Sequence, residues 1–337
     1  YYTKIENESK ADPDNNELKK KYIDASAELL SYCIKYDSLL VLDAEMKPED
    51  KEKEHKIYQP KGVNSAIQLL QAAQNYSNSE NQEELKQGAK YAEIFINAME
   101  NSNLMKDFKH AELEGWKTYS KAFRAQSYLN IEGTPEETIV NAYKALFNTN
   151  FKGIAYQSLM NYYREKDKAK QNLYLQEGID ALKGDAEQKD LRANFVTILM
   201  QNQFQAGDKE GFMKTAEIMK TEFADDENAV NAYLMEGQFA FEAKDYETAK
   251  KAFLAGSEKY PDDEKCLLMA ARSAWMKAQT TGSKKEDMNE AITLFKKLEA
   301  ANPESPELWG ESLYVLYNNT QQLKLAANYK KYYKSNK

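Results

Sequence analysis

The chain has 337 residues and a formal net charge of −8, with 42% apolar and 30% charged residues but only 13 glycines and 7 prolines, a balance suited to helices with wet outer faces. No stretch approaches the roughly eighteen unbroken apolar residues of a membrane-spanning helix, so no membrane span is expected. Lys and Arg are dispersed among acids rather than gathered into a basic face, which argues against a nucleic-acid partner.

In chain order, residues 1–13 are polar and are expected to fray. From Asp14 to about Ala44 the pattern predicts one long leading helix, because Leu18, Tyr22, Ala25, Leu29, Tyr32, Tyr36 and Leu39 recur at alternating steps of four and three. KPEDKEKEHKIYQP, residues 47–60, reads as a charged connector that ends at Pro60. A hairpin of VNSAIQLLQAAQNYSN and QEELKQGAKYAEIFINAMEN follows, the second helix carrying Tyr91, Phe95 and Ala98. HAELEGWKTYSKAFRAQSYLN then predicts a helix with Trp116, Tyr119, Ala122 and Phe123 inside. Thr134-Pro135-Glu136-Glu137 offers the next helix an N-cap, a proline at the first helical position and acids in the first turn. That helix includes Ile139, Ala142, Tyr143 and Leu146, and FKGIAYQSLMNYY and KQNLYLQEGIDALKG make a further hairpin around Glu165-Lys166-Asp167.

Residues 226–263 are the clearest hairpin. Apolar stripes through Tyr233 and Phe241 and through Tyr246, Ala249 and Phe253 are joined by Ala243-Lys244-Asp245 and closed by Pro261. The pattern recurs upstream, where residues 205–227 align without a gap on 242–264, an offset of 37 (242 against 205). Downstream, Ala291, Phe295 and Pro303 repeat the spacing of Ala249, Phe253 and Pro261, with the extra residues assigned to a lengthened loop at 279–289, QTTGSKKEDMN. A last copy starts at Pro306-Glu307-Leu308-Trp309, with LKLAANYKKYY as a loosely fitting second helix suited to a terminal cap.

Written by position, Tyr233, Gly237, Tyr246, Ala249, Phe253 and Pro261 resemble the tetratricopeptide repeat (TPR) pattern, with Gly237 at the eighth place, Ala249 at the twentieth, Phe253 at the twenty-fourth and Pro261 at the thirty-second. The resemblance covers the last four hairpins; the first three rest on periodicity. It implies an all-α, right-handed α-solenoid of antiparallel helix pairs, preceded here by the one long leading helix, and a scaffold for a protein or peptide partner. The chain accordingly divides into 1–60 (leading helix and connector), 61–185 (degenerate hairpins) and 186–337 (TPR-like repeats). The tetratricopeptide family lines its groove with the first helix of each hairpin, at places two, five, six, nine, twelve and thirteen. Carried over, places two and nine hold Asn194 and Gln201, Asn231 and Gln238, Lys265 and Arg272, Glu307 and Tyr314. Places five and six hold Thr197 and Ile198, Leu234 and Met235, Leu268 and Met269, Gly310 and Glu311. Place twelve is aromatic throughout: Phe204, Phe241, Trp275 and Tyr317. The Lys and Asn of the family's chaperone-tail clamp are missing, since the fifth place holds Thr197, Leu234, Leu268 and Gly310.

The candidate peptide-binding residues are therefore Asn194, Gln201, Phe204, Asn231, Gln238, Phe241, Arg272, Trp275, Tyr314 and Tyr317. Amides can hydrogen-bond an extended backbone, and Met and aromatic side chains give adaptable apolar contact. Leu234, Met235, Leu268 and Met269 suit the groove and interhelical packing equally. The twelfth-place aromatics read either as a ladder along the groove or as filling between helices.

Catalytic signals are sparse. His55 and His110 lack a second ligand at metal spacing, Cys33 and Cys266 read as buried thiols, and no phosphate loop or G-x-S-x-G occurs, so neither metal nor cofactor is expected. Two rivals to the scaffold are a helical-toroid hydrolase acting on glycans with paired carboxylates and a structural subunit whose groove holds its own N-terminal helix or a second copy. Among 54 acids no pair stands out. Tyr1 in place of an initiator Met fits a mature protein exported to the periplasm or cell envelope of a bacterium, and equally a trimmed chain.

Overall fold

A computed structural model describes residues 1–42, 47–101, 113–282 and 284–333. Among them there are sixteen α-helices, packed in adjacent pairs, and no strand. Contacts divide the chain into two compact units, Tyr1–Leu182 and Lys183–Lys337.

The first unit contains α1 (Tyr2–Ala11), α2 (Asn16–Leu42), α3 (Pro48–Tyr76), α4 (Gln82–Asn101), α5 (Leu113–Asn130), α6 (Glu136–Lys144), α7 (Lys152–Tyr163) and α8 (Lys168–Ala181). Four expectations are corrected here. Residues 2–11 do not fray but form α1, because Tyr2, Ile5 and Ser9 make a short buried stripe, and the Tyr2 and Tyr22 hydroxyls lie 3.1 Å apart. The charged stretch 47–60 is not a connector. It is the first half of α3, opened by Pro48 with Glu49 and Asp50 in the first turn, and the helix continues through Pro60. Its Glu and Lys residues are good helix formers, and an internal proline withdraws one backbone hydrogen bond without ending the helix. The inner face of α5 also differs from the one expected. Ser120, Ala125 and Ser127 are fully buried, whereas Tyr119 is exposed and Trp116, Ala122 and Phe123 are half-buried. Small residues let α5 lie close on α4: the Ser120 hydroxyl donates to the Ala92 carbonyl at 3.2 Å, and Ser127 sits beside Gly88. Thr134 does not cap α6; its hydroxyl turns back to the Ile131 carbonyl, and Pro135 is the cap residue. Ile139, Ala142, Tyr143 and Leu146 are buried as expected, and α8 begins at Asp167, whose carboxylate accepts from the Lys170 N–H.

The second unit contains α9 (Lys189–Gln205), α10 (Lys209–Glu222), α11 (Val230–Glu242), α12 (Tyr246–Lys259), α13 (Glu264–Thr280), α14 (Lys285–Ala301), α15 (Gly310–Asn319) and α16 (Leu323–Tyr329). Three of its hairpins, α9–α10, α11–α12 and α15–α16, share one turn. Gly207, Lys244 and Gln321 have φ of +70°, +60° and +59°, and the N–H of each donates to the carbonyl three residues back. The N–H of the following residue reaches five back in each case: Asp208 to Gln203, Asp245 to Ala240 and Gln322 to Tyr317. This is the Schellman pairing, which closes a helix by placing one residue in the left-handed region. Asp208 and Asp245 then cap the next helices by accepting from Gly211 and Thr248.

Packing between these helices depends on missing side chains. A Cβ at Gly237 would meet the ring of buried Phe253, and one at Gly256 would meet the Cys266 sulfur at 2.7 Å and the Tyr233 Cβ at 2.8 Å. The lengthened loop expected at 279–289 is corrected. Its residues extend α13 to Thr280 and open α14 at Lys285, with the Thr281 hydroxyl on Asp287 at 2.7 Å and Met288 buried. The extra residues are helical because both added turns find partners.

Ion pairs tie helices together: Arg192 on α9 to Glu222 on α10 at 2.6 Å, Lys220 on α10 to Glu236 on α11, and buried Lys250 on α12 to Glu290 on α14 at 2.5 Å, with Glu247 of its own helix at 3.0 Å. Lys277 joins this last group through Glu247 at 2.8 Å. Hydrogen bonds from Lys277 and Lys250 hold the Glu247 carboxyl down at about 2, below the ordinary 4.5.

Because only glycine adopts a positive φ without cost, Lys244→Gly should stabilise the chain by about 1 kcal/mol in urea denaturation. Glu247 is depressed in the folded state, so its contribution is complete above pH about 4.5 and is lost as pH falls towards 2. Thermal melts of wild type and Glu247→Gln should therefore differ at neutral pH and converge across that interval.

Candidate functional site

Two helices of the second unit carry the same stripe. On α11, Leu234 and Met235 are flanked by Asn231 and Gln238; on α13, Leu268 and Met269 are flanked by Lys265 and Arg272, each 34 residues on (265 against 231). Positions three, four and seven apart share a helix face. The opposite faces are small: Ala232, Gly237 and Ala240 on α11, and Cys266, Ala270, Ala271, Ser273, Ala274 and Ala278 on α13. Neighbouring helices press onto those small faces, which leaves the larger Leu and Met side chains only half-buried on the other side.

The stripes line one pocket of about 470 Å³. Phe204 enters from α9, and the Phe253 ring, admitted by Gly237, forms part of the floor with the Leu and Met pairs. Leu234, Leu268 and Met269 also rest on the buried core, so they pack and line at once. Lys265 and Arg272 are exposed on one wall and make no ion pair among the described residues, and no carboxylate lines the pocket. Asn231 and Gln238 face them from α11, with the Gln238 amide nitrogen donating to Glu242 at 2.8 Å.

Of the residues anticipated from the sequence, Phe204, Asn231, Gln238 and Arg272 meet in this pocket; the others do not line it. Asn194 and Gln201 are exposed on α9, and Tyr314 on α15 packs its ring 4.7 Å from that of Tyr333. Tyr317, 6% exposed, is a core residue and is corrected as a contact for a partner. Of the two readings open for the twelfth-place aromatics, the ring contacts display packing within hairpins, and Phe204 also lines the pocket. Each member packs on the second helix of its own hairpin: Phe204 on Phe212 at 6.2 Å, Phe241 on Tyr246 at 5.1 Å, Trp275 on Phe295 at 6.1 Å and Tyr317 on Tyr329 at 5.6 Å. Among the described residues no ring contact joins one member to the next. For Phe204, Phe241 and Tyr317 the twelfth place lies in the last turn before the Schellman loop, where the returning helix is near; Trp275 lies five residues before the end of α13. Lys265 was legible only as a groove place, since nothing in the sequence marks which cations lack acids.

Chemistry elsewhere is quiet. Carboxylates with a resolved shift in the described residues, including Glu136 beside Lys170 and Tyr163, Glu222 beside Arg192, and Glu247, are all held low by hydrogen-bonding partners, whereas a glycosidase acid must be raised. Burial pushes the Cys266 thiol up to about 12, so it is no thiolate at neutral pH, and Cys33 is buried too. Among the described residues no group of three His, Cys, Asp or Glu could hold a metal, and no helix is long and apolar enough to cross a membrane. His110 and the side chain of His55 lie outside the described residues. No protein-family model matches the chain, and no curated protein matches it.

Trp275 buries its indole N–H without a partner. Trp275→Ala should cost about 3 kcal/mol of stability, and Trp275→Phe under about 1 kcal/mol, because removing an unsatisfied donor offsets the lost area. Chemical denaturation of both variants checks this.

Proposed function

We propose that this chain is a protein- or peptide-binding scaffold whose second unit is a right-handed, TPR-like solenoid, with the α11–α13 pocket as part of its concave binding face. The observation that carries the reading is the repeated polar–Leu–Met–polar stripe, whose two copies converge on one pocket with half-exposed apolar floors. Water-exposed Leu and Met side chains of this kind are adaptable contacts for a peptide. The shared Schellman turns and the glycine-dependent crossings support a repeated hairpin, the unit from which solenoids stack. The lowered carboxylates favour a scaffold over a hydrolase. Since α1 is engaged by α2 within the first unit, an external occupant is favoured over the chain's own N-terminal helix.

The test is site-specific photo-crosslinking of the full chain in extract from its source. A benzophenone amino acid at Gln238 should give a discrete adduct with another protein, and one at exposed Gln279 should not. Equal labelling at both places, or none at Gln238, counts against the reading.

A further inference from the structure

Resting on that reading, we infer that the pocket takes an extended internal segment of a partner protein in which two Asp or Glu side chains flank an apolar residue. The two walls differ in chemistry. Asn231 and Gln238 present amides, which donate and accept and so match the alternating N–H and C=O of an extended backbone. Opposite them, Lys265 and Arg272 present two cations that make no ion pair among the described residues, and no carboxylate lines the pocket.

The contrast with neighbouring helices gives this weight. In a chain of net charge −8, the cations at the helix junctions are matched with acids, whereas these two point charges are left unmatched beside an apolar floor. Desolvating them under a neutral segment would cost free energy; covering them with carboxylates would recover it. Spacing separates two side-chain carboxylates from a single chain terminus. Seven helical residues place Lys265 and Arg272 roughly 10 Å apart along α13, on either side of Leu268 and Met269. Donors so separated do not converge on one carboxylate. Side chains of an extended chain alternate faces at about 3.3 Å per residue, so acids at i and i+4, about 13 Å apart with an apolar side chain at i+2 between them, share the face that meets the cation–apolar–cation wall.

The probe is a displayed library of random twelve-residue peptides, selected in parallel on the full wild-type chain and on K265E/R272E. Both substituted side chains are exposed, so the fold should hold, with circular dichroism melts as the check. The wild type should enrich peptides with paired acids around an apolar residue. Synthetic copies should lose about tenfold or more in affinity for K265E/R272E and weaken as salt rises, and the variant should enrich basic peptides instead. Enrichment of neutral or basic peptides by the wild type, with affinity unchanged in K265E/R272E but lost on substituting Met269→Lys, would overturn the acidic preference and leave the scaffold standing. Failure of either protein to enrich peptides that depend on the pocket would remove both.

Discussion

The ring of Phe253 stands where a side chain at position 237 would otherwise be, and the second unit depends on that substitution of space for space. With glycine at 237, α12 can lie against α11 at a distance no β-carbon would permit, and glycine at 256 does the same for α12 where it meets Tyr233 and Cys266. One helix is therefore held tightly by the two that carry the polar–Leu–Met–polar stripes. Their separation is set by close-packed contacts rather than by long, compliant side chains. The pocket exists because α11 and α13 are kept apart by α12 while Phe253 fills the bottom of the gap.

Electrostatics follows the same division between joint and open face. At junctions, Arg192, Lys220 and Lys277 are matched with acids on the adjoining helix and Lys250 with Glu290 on α14, and the shifts that result drive carboxylates down. A buried lysine such as Lys250 is tolerated only because two carboxylates meet it, a requirement that fixes which helices lie together more than it adds net stability. At the pocket that matching stops, and the cations of α13 face a cavity without acids. Turn geometry completes the arrangement. The Schellman closures at Gly207, Lys244 and Gln321 turn the chain into each returning helix, and the aromatic in the last turn before each closure packs on it.

Where sequence reading failed, it treated a local signal as decisive. Pro60 looked like a terminator, yet one lost hydrogen bond in a helix of 29 residues leaves the rest of the ladder intact. The polar run at 279–289 looked like a loop because Gly282 is a turn residue, but α13 runs to Thr280 and α14 opens at Lys285, with Met288 buried and Thr281 hydrogen-bonded to Asp287. The stripe of α1 escaped notice because three residues, Tyr2, Ile5 and Ser9, suffice to bury a helix of three turns when a tyrosine pair anchors it.

The order of residues by itself determined that the described chain would be helical and where several of its helices begin and end. Those follow from period, capping and proline or glycine placement, which are local and act within a few residues. Tertiary structure alone decided which of those places meet. Phe204, Asn231, Gln238 and Arg272 share a pocket while Tyr317 is sealed inside, because convergence depends on the crossing of helices dozens of residues apart. It also decided which charges are left over. Lys250 and Arg272 are alike as cations in the sequence, and it is the approach of Glu290 from α14, beside Glu247 one turn back on Lys250's own helix, that matches the first and leaves the second without an ion pair among the described residues.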